Sequence, residues 1–122
     1  GPDPAITGDT DWHFIETPVG FHGDWFQQTS SNIEFYMAAI GNAYVSGGTG
    51  QLYLRGFHLG ANSDPIDITA TSWTNWHIPP VKITPEAGYS SCQIQLYGRV
   101  TDAAQTLHVY QRYLWLLIRK RE

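Results

Sequence analysis

The sequence predicts an all-β domain, an antiparallel sandwich or barrel, and three observations carry that prediction. In Cys92–Arg99 the residues Cys92, Ile94 and Leu96 alternate with Gln93, Gln95, Tyr97 and Arg99, the period-2 pattern of a half-buried strand. Clusters of Gly, Pro, Ser and Asp punctuate the chain at short, regular intervals, as strand-rich folds require. Aromatic residues reach 14% while charged residues are only 15%, against a usual charged share of about 25%. Such a chain is rich in rings and poor in charge, the opposite of a disordered composition.

The elements follow in order. Residues 1–10 hold two prolines and two glycines and read as a linker, with Gly1-Pro2 resembling a protease-cleavage scar, so the chain reads as an excised module. The rest, residues 11–122, is expected to form one domain, near the common domain size. Trp12-His13-Phe14-Ile15 is a first candidate strand, stopped by Pro18 and Gly20, and Gly23–Gln28 a second, with Trp25 or Phe26 inward. Ile33–Ile40 contains helix formers, but the alternation of Ile33, Phe35 and Met37 favours a strand. Ser46–Gly50 is a turn, Gln51–Leu59 a strand, and Gly60–Pro65 a loop. Short strands follow around Ile66 and Ile68 and over Trp73–Ile78, the latter ended by Pro79-Pro80. Val81 and Ile83 open a segment closed by Pro85-Glu86-Ala87-Gly88. Strands over Cys92–Val100 and Thr106–Ile118, separated by a turn at Thr101–Ala104, complete about seven to nine short strands with no convincing helix.

Composition excludes several function classes. A net charge of −4 argues against nucleic acid, whose binders need a basic stripe to displace phosphate counterions. The basic cluster Arg119-Lys120-Arg121 reads as a solvated tail. The single cysteine, Cys92, rules out an intrachain disulfide and, at an inward strand position, behaves as a small hydrophobe rather than a reactive thiol. No apolar stretch approaches the roughly 20 residues of a membrane helix, no signal peptide is read, and no membrane insertion is expected.

From about Asn32 onward the succession of motifs resembles jelly-roll carbohydrate-binding modules of the galactose-binding-like superfamily, found in glycoside hydrolases and phage tail proteins. The residues that carry it are Ile33–Ala39, the Ser-Gly-Gly turn at Ser46, and Gln51–Arg55. Thr69–Trp76, Ile83–Ala87, Gln93–Gly98 and Leu107–Tyr110 continue it; Ser72-Trp73-Thr74, then a Pro loop and the Leu96-Tyr97-Gly98 strand, are its most specific part. The resemblance covers some ninety residues and leaves out most of the stretch before Asn32. It implies a jelly roll and non-catalytic glycan binding, with an extracellular or virion location. The family usually places an acidic residue, often tied to a structural calcium, in the final strand. Gln111-Arg112 stand at the nearest position here, which counts against calcium, and no cofactor is expected.

A sugar offers an apolar C–H face to an aromatic plate and hydroxyl pairs to amides or guanidinium groups. Tyr97 and Tyr53 are the candidate plates, with Gln93, Gln95, Arg99 and Arg55 as polar partners; Tyr36, on the non-core side of its strand, is a candidate to join them. The same alternation is also what the wet face of any sandwich strand displays. Aromatic contacts of order 0.5–1.5 kcal/mol and hydrogen bonds of about 0.5–1.5 kcal/mol net imply micromolar to millimolar affinity for polysaccharide or a cell-surface glycan. Trp73 reads as core, Trp76 and His77 as one in and one out, and Trp115 as core or subunit interface.

Catalysis is not expected. The five histidines, His13, His22, His58, His77 and His108, have no metal-ligand spacing, and pairs such as His13 with Asp11 or His22 with Asp24 read as solvated loops. There is no Gly-x-Ser-x-Gly elbow, and Glu34, the only acidic residue at an interior strand position, cannot serve as both acid and base. The runner-up function is structural: a phage tail, baseplate or capsid-decoration domain. Tyr113–Ile118 is apolar at both parities, which fits burial on both faces or a homo-oligomer contact through this strand.

Overall fold

The computed structural model describes residues 5–23 and 33–120; the candidate strand around Trp25 and Phe26 lies outside them. Among the described residues eight strands form: β1 (Ala5–Thr7), β2 (His13–Phe21), β3 (Ile33–Val45), β4 (Gly50–Phe57), β5 (Ile66–Ile68), β6 (Thr74–Ile83), β7 (Cys92–Val100) and β8 (Leu107–Lys120). Among the described residues there is no helix. One sheet, sheet A, has the order β1-β8-β3-β6, and the other, sheet B, the order β2-β7-β4-β5. Every neighbouring pair is antiparallel. This alternation of strands between two four-stranded sheets is the double Greek key of a jelly roll.

The alternating residues of β7 set the registry of the sandwich. Cys92, Ile94, Leu96 and Val100 are fully buried, while Gln93, Gln95, Tyr97 and Arg99 between them are half-buried on the opposite side. From sheet A, Met37, Ala39 and Val45 of β3 and Leu107 and Val109 of β8 meet this apolar set, together with Leu52 and Leu54 of β4. Gly98 belongs to the inward parity: a Cβ there would stand 2.7 Å from Ile15 Cδ1 and 3.1 Å from Leu52 Cδ2, so its absence lets β2 close over the core.

The prolines expected to end strands do not. β2 continues through Pro18 to Phe21, and β6 through Pro79-Pro80 to Ile83. Both are edge strands, and the register shifts beside those prolines, between Glu16 and Val19 and opposite Met37 to Ala39, absorb the missing donors. The expected linker also contributes structure, since Ala5–Thr7 pairs with Leu107–Val109, and Asp9 O accepts a bond from Val100 N at 2.9 Å.

β8 explains why both parities of its second half are apolar. Ile40 pairs with Tyr113 but Gly41 with Gln111, so Arg112 is an extra residue, a bulge that exchanges the faces. Leu107 and Val109 face the core before it; Leu114 and Leu116 pack on the core after it. Tyr113 and Trp115 turn outward, 58% and 38% exposed, with their rings stacked at 5.8 Å. Trp73 is likewise not core: it is 48% exposed and lies edge-on to Tyr44 at 4.8 Å, outside the sandwich just ahead of β6. Trp76 is the inward member of its pair, 5% exposed, and His77 is exposed.

Candidate functional site

The outer face of sheet B gathers six of the seven expected residues. Antiparallel pairing sets Tyr53 of β4 opposite Tyr97 of β7, Arg55 opposite Gln95, and Gln51 opposite Arg99. Pairing of β2 with β7 sets Phe14 opposite Tyr97. Cross-strand neighbours on one face are in reach of one another, so a continuous surface results. Tyr53 and Tyr97 have ring centroids 5.6 Å apart, Phe14 meets Tyr97 edge-on at 5.7 Å, and Trp12 meets Tyr53 edge-on at 4.6 Å.

Polar groups thread between these rings. Arg99 Nε donates to Gln51 Oε1 at 2.8 Å, and its guanidinium lies over the Trp12 ring at 4.5 Å. Gln51 Nε2 in turn donates to Asp67 Oδ1 at 2.9 Å. Arg55 Nη1 donates to Tyr97 Oη at 3.2 Å, with its guanidinium 5.3 Å from the Phe57 ring and 5.8 Å from the Tyr97 ring. Gln95 Nε2 donates to Gln93 Oε1 at 2.7 Å, and Gln93 Nε2 to Ser91 Oγ at 3.1 Å. Gln95 Oε1 is covered and accepts no hydrogen bond, an unmet acceptor in the middle of the face. Burial, seconded by neighbouring Tyr97 and opposed by Arg55, raises the Tyr53 pKa above its usual 10.0. Its hydroxyl therefore stays a neutral donor and acceptor throughout the neutral range.

Tyr36 does not join this face. It sits on β3, in sheet A, where its hydroxyl donates to Glu34 Oε2 at 2.6 Å, and Lys82 Nζ stands 3.6 Å from the same oxygen. Acceptance of that hydroxyl by the Glu34 carboxylate is the main reason its pKa is raised above 10.0. The outer faces of two packed sheets point in opposite directions, so Tyr36 is separated from Tyr53 and Tyr97 by the whole sandwich.

Beyond Arg55 the face opens into a hollow of about 510 Å³ formed by Arg55–His58, Gly60–Asn62 and Glu86. His58 adopts the left-handed conformation at φ 58°, which costs a non-glycine residue roughly 1–2 kcal/mol. Its surroundings hold it there: the ring stacks on Tyr89 at 3.7 Å, Nδ1 lies 3.1 Å from Glu86 Oε2, and its carbonyl accepts from Glu86 N at 3.1 Å. Gly56 is required beneath it, because a Cβ there would run into the Ala61 carbonyl.

Trp12, Phe14, Gln51 and Phe57 were not among the expected site residues. Gln51 and Phe57 share parity with Tyr53 and Arg55, a signal present in the sequence. Trp12 and Phe14 reach the face only because β2 pairs with β7, a contact spanning some eighty residues that no local pattern announces. Among the described residues no three His, Cys, Asp or Glu side chains converge on a metal position. His13 pairs with Asp9 at 2.9 Å rather than with Asp11. The side chains of Gln111 and Arg112, and residue Asp24, lie outside the described residues.

Comparison with known proteins returned no matching family model, no matching curated protein and no matching solved structure. The functional reading therefore stands on the surface itself.

Proposed function

We propose that the protein is a non-catalytic glycan-binding module that attaches its parent protein or particle to polysaccharide at an extracellular or virion surface. The observation that carries this reading is the run of four rings, Trp12, Tyr53, Tyr97 and Phe14, interleaved with two guanidinium groups and the amides of Gln51, Gln93 and Gln95 on one sheet face. Rings half-exposed beside fixed planar donors fit a ligand that alternates apolar C–H faces with hydroxyl pairs. The open, shallow shape suits an extended chain better than a small enclosed molecule. Titration with polysaccharides and binding to a glycan array test it. Saturable binding in the micromolar to millimolar range, abolished by Tyr97→Ala and by Gln95→Ala in folded variants, is the expected result. A panel with no saturable binder rejects the reading.

The second reading is an assembly domain of a phage particle, and the outer face of sheet A favours it. Tyr113 and Trp115 are 58% and 38% exposed side by side on the outward parity of β8, a ring pair of the kind that marks contact surfaces. Particle mass in solution separates the two: a stable trimer or larger, dissociated by Trp115→Glu, supports assembly through β8.

A further inference from the structure

We infer that the ligand of the sheet B face is an acidic glycan, one carrying carboxylate or sulfate groups along its chain; this rests on the glycan-binding reading. The face holds two permanent cations and no ion pair to either among the described residues. Arg99 is held by the Gln51 carbonyl oxygen and the Trp12 ring, and Arg55 by the Tyr97 hydroxyl and the rings of Phe57 and Tyr97. All these partners are neutral. The carboxylates nearby are otherwise engaged: Asp67 accepts from Gln51, and Glu86 pairs with His58. In a chain of net charge −4, acidic side chains outnumber basic ones 11 to 7, so two guanidinium groups fixed without a carboxylate stand against the overall balance.

Ring contacts also orient them. A guanidinium lying over an aromatic ring loses water from that side and presents its planar N–H fork along its free edge, the geometry that carboxylate and sulfate oxygens fit. Arg55 faces Gln95, and Arg99 is four residues farther along β7. At the rise of a strand the two cationic positions are therefore about 13 Å apart, with Tyr53 and Tyr97 between them. One small anion cannot bridge that span. A polymer with anionic groups at intervals and sugar faces between them can meet cation, ring and cation in turn.

The experiment is an array of matched oligosaccharides in neutral, carboxylated and sulfated forms, followed by titration of the best binder against the intact chain. Binders concentrated among the anionic forms are expected, with the carboxylated and sulfated arms identifying which group is read. Affinity should fall as salt rises. Arg99→Gln and Arg55→Gln should each lose about tenfold or more, with Arg→Lys at either site recovering part of it, because the charge stays and the fork is lost. Thermal unfolding confirms that the variants fold. Binders confined to neutral glycans, or Arg→Gln variants that bind as the parent does, overturn this inference and leave glycan binding standing. An array with no binder at all overturns both.

Discussion

Replacing Tyr97 with alanine removes the centre of the sheet B face and should be felt in stability as well as binding. The ring touches Tyr53 and Phe14, lies under Arg55, and its hydroxyl accepts the Arg55 bond. Each aromatic contact contributes about 0.5–1.5 kcal/mol, an exposed cation–ring contact about 0.5–1, and the hydrogen bond about 0.5–1.5. These terms overlap on a wet face where Phe14 is 41% exposed, so the lower ends apply and the expected loss is about 2 kcal/mol. An unfolding entropy of about 2.1 cal/mol/K per residue over 122 residues converts this to a fall in Tm of roughly 8 °C. Tyr97→Phe keeps the ring contacts and gives up only the hydroxyl, so it should lose less than half as much. Urea unfolding followed by tryptophan fluorescence, with the denaturant slope held common to the variants, measures both. Tyr97→Ala within about 0.3 kcal/mol of the parent, or Tyr97→Phe equal to Tyr97→Ala, would refute the packed arrangement of rings.

The packing of the core, the His58 hollow and the phenols is open to test as well. Leu96, fully buried between the sheets, should cost about 2–5 kcal/mol when replaced by alanine, a Tm fall of roughly 8–20 °C; an unchanged midpoint would reverse the registry of β7. Gly56→Ala should destabilise the chain and disorder the His58 hollow, seen as lost hydrogen-exchange protection at Gly56 and Ser63 amides, since the added methyl meets the Ala61 carbonyl. Spectrophotometric titration should resolve phenols ionising above the usual pKa of about 10, and Tyr53→Phe should remove one while leaving Tyr36. Because the folded-state values are raised, the fold favours the neutral phenols. Their stabilising contribution is complete below about pH 10 and is lost as pH rises through the folded pKa. A titration with every phenol at the ordinary value counts against it.

Legibility in the sequence followed the range of the interactions concerned. The two-residue period of Cys92–Val100 is local, so its inward and outward sets could be read directly, and with them Tyr97, Gln95, Gln93 and Arg99. The same holds for Leu52 and Leu54 against Tyr53 and Arg55. Strand ends at Pro18 and Pro79 were misplaced because a proline's missing donor matters only where a neighbour needs it, and edge position is a property of topology. Tyr36 was placed on the correct side of its own strand, but which sheet that strand joins is not written in it. Trp73 was read as core because tryptophan usually is in sandwiches, and Trp115 as core or subunit interface because it lies in an apolar run. A single bulged residue, Arg112, decides that Trp115 points out, and the left-handed backbone at His58 depends on Tyr89 and Glu86, some thirty residues away.

Because the sandwich turns its two outer surfaces away from one another, occupation of one leaves the other unobstructed. Copies gathered side by side through the stacked Tyr113 and Trp115 would hold their arginine-bearing faces toward the surroundings at fixed spacing. If one copy grips a polymer as proposed, its neighbours would engage the same strand at effective concentrations of about millimolar, and avidity would supply what a single shallow face lacks.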